Sequence, residues 1–261
     1  MTIAFLFARQ RSGTGALGSV LDQHPEIHYV GEVFHPGDVE TNEYSYFRFL
    51  RALVETTPAR SLPSAADVNL GEYLHYVKTK SPKPNVVIDV KYNSMHHFNR
   101  AWHGLLQRPR LIELVGGQPV LHLARRNFVR TYVSGRLAEL NQVWHTSDAT
   151  GLKHRKVEVD TSALATDLGA TSREVEAMMR WVGGRPNVVG LEYAELFDDH
   201  GDIGWGVGHE IASVLGVAPF ATRTPHFQKQ AGGHLRETIV NYGEVADALA
   251  WTPYHWMMFA D

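Results

Sequence analysis

The stretch IAFLFARQRSGTG at positions 3–15 decides the fold that this sequence predicts. Residues 3–7 form a short apolar run that is typical of a buried β-strand. A loop with two arginines follows at once, and residues 14–23 then carry the pattern of a helix. A strand, a loop of small residues and a helix N-terminus together direct backbone N–H groups toward an anion. The chain therefore opens with a predicted phosphate-binding loop.

The side chains of this loop strengthen the prediction. Arg11 would add a charge-assisted contact to an anion, and the hydroxyls of Ser12 and Thr14 could donate hydrogen bonds. The loop differs from the P-loop pattern G-x-x-x-x-G-K-[ST], because Ala8 replaces the first glycine and Thr14 and Gly15 occupy the positions of the Lys and the Ser or Thr. An ordinary strand–helix turn with surface arginines stays the alternative.

A second segment supports the phosphate hypothesis. Residues 119–123 predict another buried strand, and Arg126 follows it directly. Ser134 lies eight residues beyond Arg126, which is a little over two helical turns. If the chain turns sharply after Arg126, both side chains can reach one phosphate beside the first loop.

The order of elements predicts an α/β fold, a P-loop-like parallel sheet flanked by helices on both faces. Predicted strands cover 3–7, 86–90, 119–123 and 187–191, and predicted helices cover 14–23, 43–55, 69–79, 95–107, 128–145, 172–183, 207–215 and 243–250. A capping box at 171–174 is expected to begin the sixth helix. Residues 56–68 and 146–162 are predicted loops, and no change of composition divides the chain, so we expect a single domain over 1–261.

In such folds ligands bind at the carboxyl ends of the strands. The first loop, Lys91 and Arg126 each follow a predicted strand, so three cationic or phosphate-binding groups are expected at one edge of the sheet. That is what a nucleotide with two anionic groups requires. For Lys91, an exposed lysine at a strand end is the alternative.

At this point the sequence resembles the sulfotransferases that use 3′-phosphoadenosine 5′-phosphosulfate (PAPS). The resemblance is to the bacterial carbohydrate branch, which includes the trehalose- and nodulation-factor-type enzymes. Residues 11–14 match the first motif of that family, and Arg126 with Ser134 match the second, including the spacing. Weaker similarities run along almost the whole chain, at 24–27, 31–34, 87–91, 191–196, 215–217, 228–230 and 239–242.

The resemblance implies roles for individual residues. The loop would hold the 5′-phosphosulfate, Arg126 and Ser134 would hold the 3′-phosphate, and Lys229 would approach the nucleotide from a C-terminal closing segment. The implied cofactor-binding residues are Arg9, Arg11, Ser12, Gly13, Thr14, Gly15, Arg126, Ser134 and Lys229.

The resemblance also implies the chemistry. Glu32 stands where the trehalose-type branch places a general base, and Arg11 and Lys91 would stabilise the charge that develops during transfer. His35, His96 and His97 are rival bases. The scheme needs no metal. Residues 33–80 and 146–162 are the least family-like and are expected to build the pocket for a carbohydrate or glycosylated acceptor.

Composition limits the alternatives. A net charge of −3 argues against nucleic acid binding through bulk charge. The chain has no cysteine and no apolar run near the ~20 residues of a membrane helix, so we expect a cytoplasmic protein without a membrane span. Whether the protein forms a homodimer is left open by the sequence. A P-loop-type small-molecule kinase and a non-catalytic nucleotide-binding protein are the other hypotheses.

Overall fold

In the computed structural model the chain is described over residues 2–98, 109–144, 153–221, 224–226 and 233–260. These ranges contain one all-parallel sheet whose strand order is β2-β3-β1-β4-β5. The strands are β1 (Thr2–Ala8), β2 (Ile27–Tyr29), β3 (Asn85–Lys91), β4 (Val120–Ala124) and β5 (Val188–Glu192). The predicted α/β class is confirmed. Only β2 is missed by sequence, because three residues are too short to display a period.

The α-helices within the described ranges alternate with these strands. They are α1 (Thr14–Gln23), α2 (Tyr46–Thr56), α3 (Ala66–Lys80), α4 (Arg110–Leu114), α5 (Phe128–Asn141), α6 (Thr161–Val182), α7 (Trp205–Leu215), α8 (Leu235–Thr238) and α9 (Tyr242–Leu249). Among the described residues, no helix combines the length and the apolar character needed to cross a bilayer.

Helices cover both faces of the sheet, because alternate residues of a strand point to opposite sides. Ile3, Phe5 and Phe7 of β1 join a core cluster that contains buried residues of α3, α4, α5, α6 and α9. Ala4 and Leu6 join the opposite cluster, which contains buried residues of α1 and α7. The apolar run that opens the chain is thus buried on both sides, as a central strand requires.

The register of the sheet sets the place where ligands can bind. Ala8, the last residue of β1, pairs with Lys91 at the end of β3 and with Leu123 near the end of β4. The segments that follow these three strands therefore begin side by side. This is the carboxyl edge at which open α/β sheets bind ligands.

The helix predicted over 172–183 begins much earlier in the structure. α6 starts at Thr161 because the Asp160 carboxylate caps it, accepting a hydrogen bond from the backbone N–H of Ser162 at 2.9 Å. The capping box at 171–174 is wrong, since Thr171 is buried in the middle of the helix. The buried residues of α6 include a stripe at helical spacing that runs along the whole helix: Leu164, Leu168, Thr171, Val175, Met178 and Val182.

The structure differs from the sequence prediction in three other segments. The predicted loop 56–68 contains two 3₁₀ turns, Pro58–Ser61 and Pro63–Ala65, and the start of α3. Part of the helix predicted over 95–107 is a 3₁₀ helix, Tyr92–Phe98, and residues 99–108 lie outside the described ranges. In the predicted loop 146–162, residues 153–156 are exposed, residues 146–152 lie outside the described ranges, and α6 begins at Thr161. That the whole chain forms one domain stays a prediction.

Candidate functional site

The loop between β1 and α1 has the backbone of an anion-binding turn. Gly13 adopts a φ of 92° and Arg11 a φ of 65°, which is uncommon for a residue with a side chain. A Cβ at Gly13 would overlap the ring of Tyr193, so only glycine fits there. Gly13 caps α1 without a side-chain hydrogen bond, and the first turn holds no acidic residue. The N–H groups at this helix end therefore remain suited to an external anion.

Two hydroxyl side chains of the loop are buried. Ser12 is 3% exposed and Thr14 is 5% exposed. Thr14 Oγ1 accepts a hydrogen bond from Lys91 Nζ, which connects the start of α1 to the end of β3. The loop is thereby anchored to the neighbouring strand.

Lys91 is the centre of a buried charge network. Its Nζ lies 2.7 Å from Asp89 Oδ2 and 3.2 Å from Glu32 Oε1. Its side chain is 3% exposed, so the alternative of an exposed strand-end lysine is wrong. Asp89 Oδ2 also accepts a hydrogen bond from the Tyr29 hydroxyl at 2.8 Å. One ammonium group thus faces two carboxylates, an arrangement that is costly unless its members stay together.

The environment of Glu32 suits a proton acceptor. Burial, as the largest effect, raises the pKa of its carboxyl above the usual value, and the nearby Asp89 also raises it. Lys91 acts in the opposite direction and lowers the pKa. A carboxylate with a raised pKa is a stronger base than a free glutamate at neutral pH.

Arg11 connects the loop to α5. Its Nε and Nη2 donate to Ser134 Oγ at 3.1 and 3.0 Å, and its Nη1 donates to the carbonyl oxygen of Trp144 at 2.6 Å. Burial lowers the pKa of Arg11, and the neighbouring Glu32 partly offsets this effect. The guanidinium of an arginine still keeps its charge under these conditions. Two residues that the sequence assigns to separate phosphate contacts are therefore adjacent.

The predicted pair of Arg126 and Ser134 is not assembled. In the described part of the chain, Ser134 Oγ receives its hydrogen bonds from Arg11, whereas Arg126 Nε lies 3.3 Å from Glu192 Oε2. The Arg126 side chain is 75% exposed. The Glu192 side chain is only 14% exposed, and its Oε1 also accepts a hydrogen bond from the backbone N–H of Arg126 at 3.0 Å. Because the Arg126 guanidinium itself is well solvated, it can change partners at small cost.

Arg9 also has an internal partner. Its Nη1 is paired with Glu174 Oε2 of α6, which ties the loop to that helix. Its role as a cofactor contact stays a prediction. Gly15 lies at the start of α1 and lines a cavity described below. Lys229 lies outside the described residues.

Sequence reasoning missed Arg125 and Tyr193. The Arg125 guanidinium lies over the Tyr193 ring, 4.6 Å from its centroid, and its Nη1 donates to the carbonyl oxygen of Arg11 at 3.3 Å. Burial lowers the pKa of Arg125 to about 10. Because Arg125 and Arg126 are neighbours, no local pattern distinguishes the buried arginine from the exposed one.

Asp89 and Tyr29 were also missed as parts of the site. A signal for Asp89 existed, since residues two apart in a strand share a face and Asp89 precedes Lys91 by two positions. Tyr29 carried none. It lies on the missed strand β2, and a Cβ at Gly18 of α1 would overlap its ring.

Among the rival bases, His97 lies in a partly buried histidine cluster. Burial and the neighbouring His96 and His35 lower its pKa to about 4. The His96 and His97 rings lie 3.9 Å apart, and His97 also packs edge-on against Phe47. Glu32 differs from these histidines because it contacts Lys91 directly.

A cavity of about 630 Å³ opens beside Glu32 and the start of α1. It is lined by Thr14, Gly15, Gly18, Ser19, Asp22, Gln23, Tyr29, Gly31, Glu32, Asp38, Asn42 and His226. Its size is in the range of small-molecule sites. Part of the segment 33–80 expected to build an acceptor pocket, Asp38 and Asn42, does contribute to its wall.

No protein-family model matches this chain, and no curated protein matches it. Among solved structures, the chain is similar to a sulfotransferase from Alicyclobacillus acidocaldarius, with a TM-score of 0.48 and 16% sequence identity. The alignment covers 100% of this chain and 97% of that chain. At this score and identity the similarity says nothing about the role of any residue, so the roles must be argued from the site.

Proposed function

We propose that this protein is a PAPS-dependent O-sulfotransferase that acts on a carbohydrate or a glycosylated small molecule. One observation carries the proposal. Lys91 lies within hydrogen-bonding reach of Glu32 and also contacts Thr14, so a base candidate, a cation and a helix N-terminus without a side-chain cap meet at one edge of the sheet. These are the groups that an anionic transfer reaction requires.

The residues of the loop fit an anionic donor. The N–H groups of residues 12–15 and the charge of Arg11 would hold the 5′-phosphosulfate, with Ser12 and Thr14 as additional donors. Arg126 and Ser134 would hold the 3′-phosphate once Arg126 releases Glu192. Arg9 and Lys229 are further proposed contacts. PAPS would supply the sulfuryl group, and the mechanism needs no metal.

In the transfer step, the acceptor hydroxyl oxygen forms a bond to sulfur while the bond from sulfur to the phosphate oxygen breaks. The hydroxyl proton goes to Glu32, whose raised pKa favours this role. Lys91 and Arg11 stabilise the negative charge that grows on the leaving phosphate. Thr14 and Asp89 orient Lys91, because both accept hydrogen bonds from its Nζ.

The proposal is tested by thermal-shift titrations with 3′-phosphoadenosine 5′-phosphate (PAP), adenosine 5′-phosphate, and ATP with Mg²⁺. At about 100 times its Kd, PAP should stabilise the protein by ~2.7 kcal/mol, or about 5–10 °C for a chain of this size. Adenosine 5′-phosphate should give a much smaller shift, since it lacks the 3′-phosphate.

Arg126→Ala should remove most of the difference between PAP and adenosine 5′-phosphate. Arg51→Ala is the matched control, because Arg51 is also exposed and pairs with a glutamate, Glu40. It should leave both shifts unchanged. A shift with ATP and Mg²⁺ but none with PAP would contradict the proposal and favour the kinase hypothesis. PAP binding without sulfuryl transfer to any acceptor would instead favour a binding protein.

A further inference from the structure

We infer that the cavity beside Glu32 takes an acceptor with a protonated amine close to its hydroxyl groups, that is, an amino sugar or a similar amino alcohol. The inference rests on the proposed function, because it assumes that the cavity holds the acceptor of the sulfuryl group. It goes further by naming the chemical class of that acceptor.

Most of the described residues that line the cavity have polar side chains. Among the described residues that line it, none has an aliphatic side chain, and Tyr29 and His226 supply its only rings. Most small-molecule sites are lined mainly by hydrophobic and aromatic side chains, with only a few polar groups. The side chains of this cavity can instead hydrogen-bond the hydroxyl groups of an acceptor.

The described residues that line the cavity include carboxylates but no lysine or arginine. The carboxylates are those of Asp22, Glu32 and Asp38. Two cations approach from outside the wall: Lys83 Nζ lies 3.4 Å from Asp22 Oδ1, and Lys91 pairs with Glu32. These contacts balance only part of the negative charge.

Lys91 is shared between two carboxylates. Asp89 lies beneath the cavity, where Tyr29 from the wall donates to its Oδ2, and Lys91 binds that same oxygen. The other oxygen, Asp89 Oδ1, is buried and has no hydrogen-bond partner among the described residues. With Asp89 and Glu32 both ionised, the group formed by Lys91 and these two carboxylates has a net charge of −1. Arg11 also acts on Glu32, but under the proposed function the donor phosphosulfate occupies its charge.

Asp38 adds a second negative charge. His35 Nδ1 lies 3.7 Å from Asp38 Oδ2, but this nitrogen accepts a hydrogen bond from the backbone N–H of Gly37 at 3.2 Å. At 3.7 Å this contact is longer than a hydrogen bond, so the Asp38 carboxylate oxygens stay able to accept from a ligand. In the described ranges no lysine or arginine pairs with Asp38.

The neutral polar groups of the wall are largely used within the protein. Asn42 Nδ2 donates to the carbonyl oxygen of Val30, and Asn42 Oδ1 accepts from the N–H of Tyr44. Ser19 Oγ donates to the carbonyl oxygen of Ala16 and accepts from the N–H of His226. The proposed function assigns the N–H groups at the start of α1 to the donor. The capacity that remains for an acceptor lies mainly on carboxylate oxygens, which only accept hydrogen bonds. A ligand ammonium supplies both the donors and the missing charge.

The test compares three matched probes on the protein saturated with PAP: the methyl glycoside of 2-amino-2-deoxyglucose, its N-acetyl derivative, and methyl glucoside. Titration calorimetry or ligand-observed NMR gives each Kd. We expect the amine to bind at least about tenfold more tightly than either neutral sugar, which corresponds to about 1.4 kcal/mol.

Asp38→Asn should reduce that preference to less than about threefold, because it removes a carboxylate charge that no lysine or arginine of the described residues pairs with, while keeping the shape of the side chain. Asp167→Asn on α6 is the matched control, since Asp167 is also a half-buried aspartate but lies outside the cavity wall. It should keep the full preference.

Equal or tighter binding of a neutral sugar would overturn the inference while leaving the proposed function intact, and so would the absence of any sugar binding to the PAP complex. Loss of preference in both variants would also overturn it. Failure to bind PAP in the first place is a different result, because it contradicts the proposed function and removes the basis of the inference with it.

Discussion

The two halves of the carboxyl edge of the sheet are built differently. At the end of β3, Lys91 is 3% exposed and contacts Asp89, Glu32 and Thr14. At the junction of β4 and β5, Arg126 is 75% exposed and forms one ion pair with Glu192. Both cations follow predicted strands, and both are proposed to act on the same donor.

The difference shows where the fold constrains a charge and where it does not. A buried cation with several partners has one position, because moving it would leave carboxylates unpaired in a poorly solvated place. An exposed cation exchanges its partner for water at little cost. We therefore regard the β3 end as preorganised for the transfer step and the β4 end as able to rearrange around a ligand.

The largest expected effect follows from replacing Glu32 at the β3 end. Glu32→Gln keeps the size and the hydrogen bond to Lys91 but removes the base, so sulfuryl transfer from PAPS should fall by about 10²–10⁴-fold. Glu192→Gln at the β4 end is the matched control and should keep at least about a third of the rate. Both are measured as initial rates at saturating PAPS, with the PAP thermal shift as a check on folding.

An unchanged rate in Glu32→Gln would contradict the assignment of Glu32 as the base and would favour His35, His96 or His97 in that role. A loss of PAP binding in that variant would show that Glu32 acts on the donor side of the site.

The next largest effect is on the free energy of unfolding, and it compares Lys91 with Arg126 directly. Lys91→Met leaves the buried carboxylates of Asp89 and Glu32 without their cation, so the free energy of unfolding should fall by about 3–5 kcal/mol. Arg126→Met should change it by no more than about 1 kcal/mol. Urea unfolding monitored by circular dichroism measures both values.

Adding Asp89→Asn to Lys91→Met should recover part of the lost stability, because it removes one of the two unpaired charges. Equal destabilisation by Lys91→Met and Arg126→Met would break the comparison, as would a double variant that is less stable than Lys91→Met alone.

The smallest effect concerns pH. Glu32 must be ionised to act as a base, so the rate should fall as the pH drops through its pKa, which burial raises above the ordinary value of ~4.3. Asp89 also raises this pKa, so Asp89→Asn should move the acid limb of the rate profile to lower pH by less than about one unit. Profiles of kcat/KM against pH compare the two proteins, and a limb that stays in place or moves upward would contradict the coupling.

Much of the framework could be predicted from short stretches of sequence. β1 and α1 appear where the apolar run and the helical pattern place them, because each pattern lies within a few consecutive residues. The start of α6 is predicted wrongly, because the capping box at 171–174 indicates a later beginning and the cap at Asp160 is not identified. Burial of the stripe from Leu164 to Val182 decides for the earlier cap.

By itself the sequence determined an α/β chain with a phosphate-type loop after its first strand, and it placed Lys91 and Arg126 at strand ends. Only the tertiary structure decided which charges meet. Arg11 reaches Ser134 across 123 residues, and Lys91 reaches Thr14 across 77. Such contacts depend on the packing of helices and on strand register, which no local pattern encodes. For the same physical reason, burial rather than residue type distinguishes Lys91, which is buried between two carboxylates, from Arg126, whose exposed guanidinium forms one ion pair with Glu192.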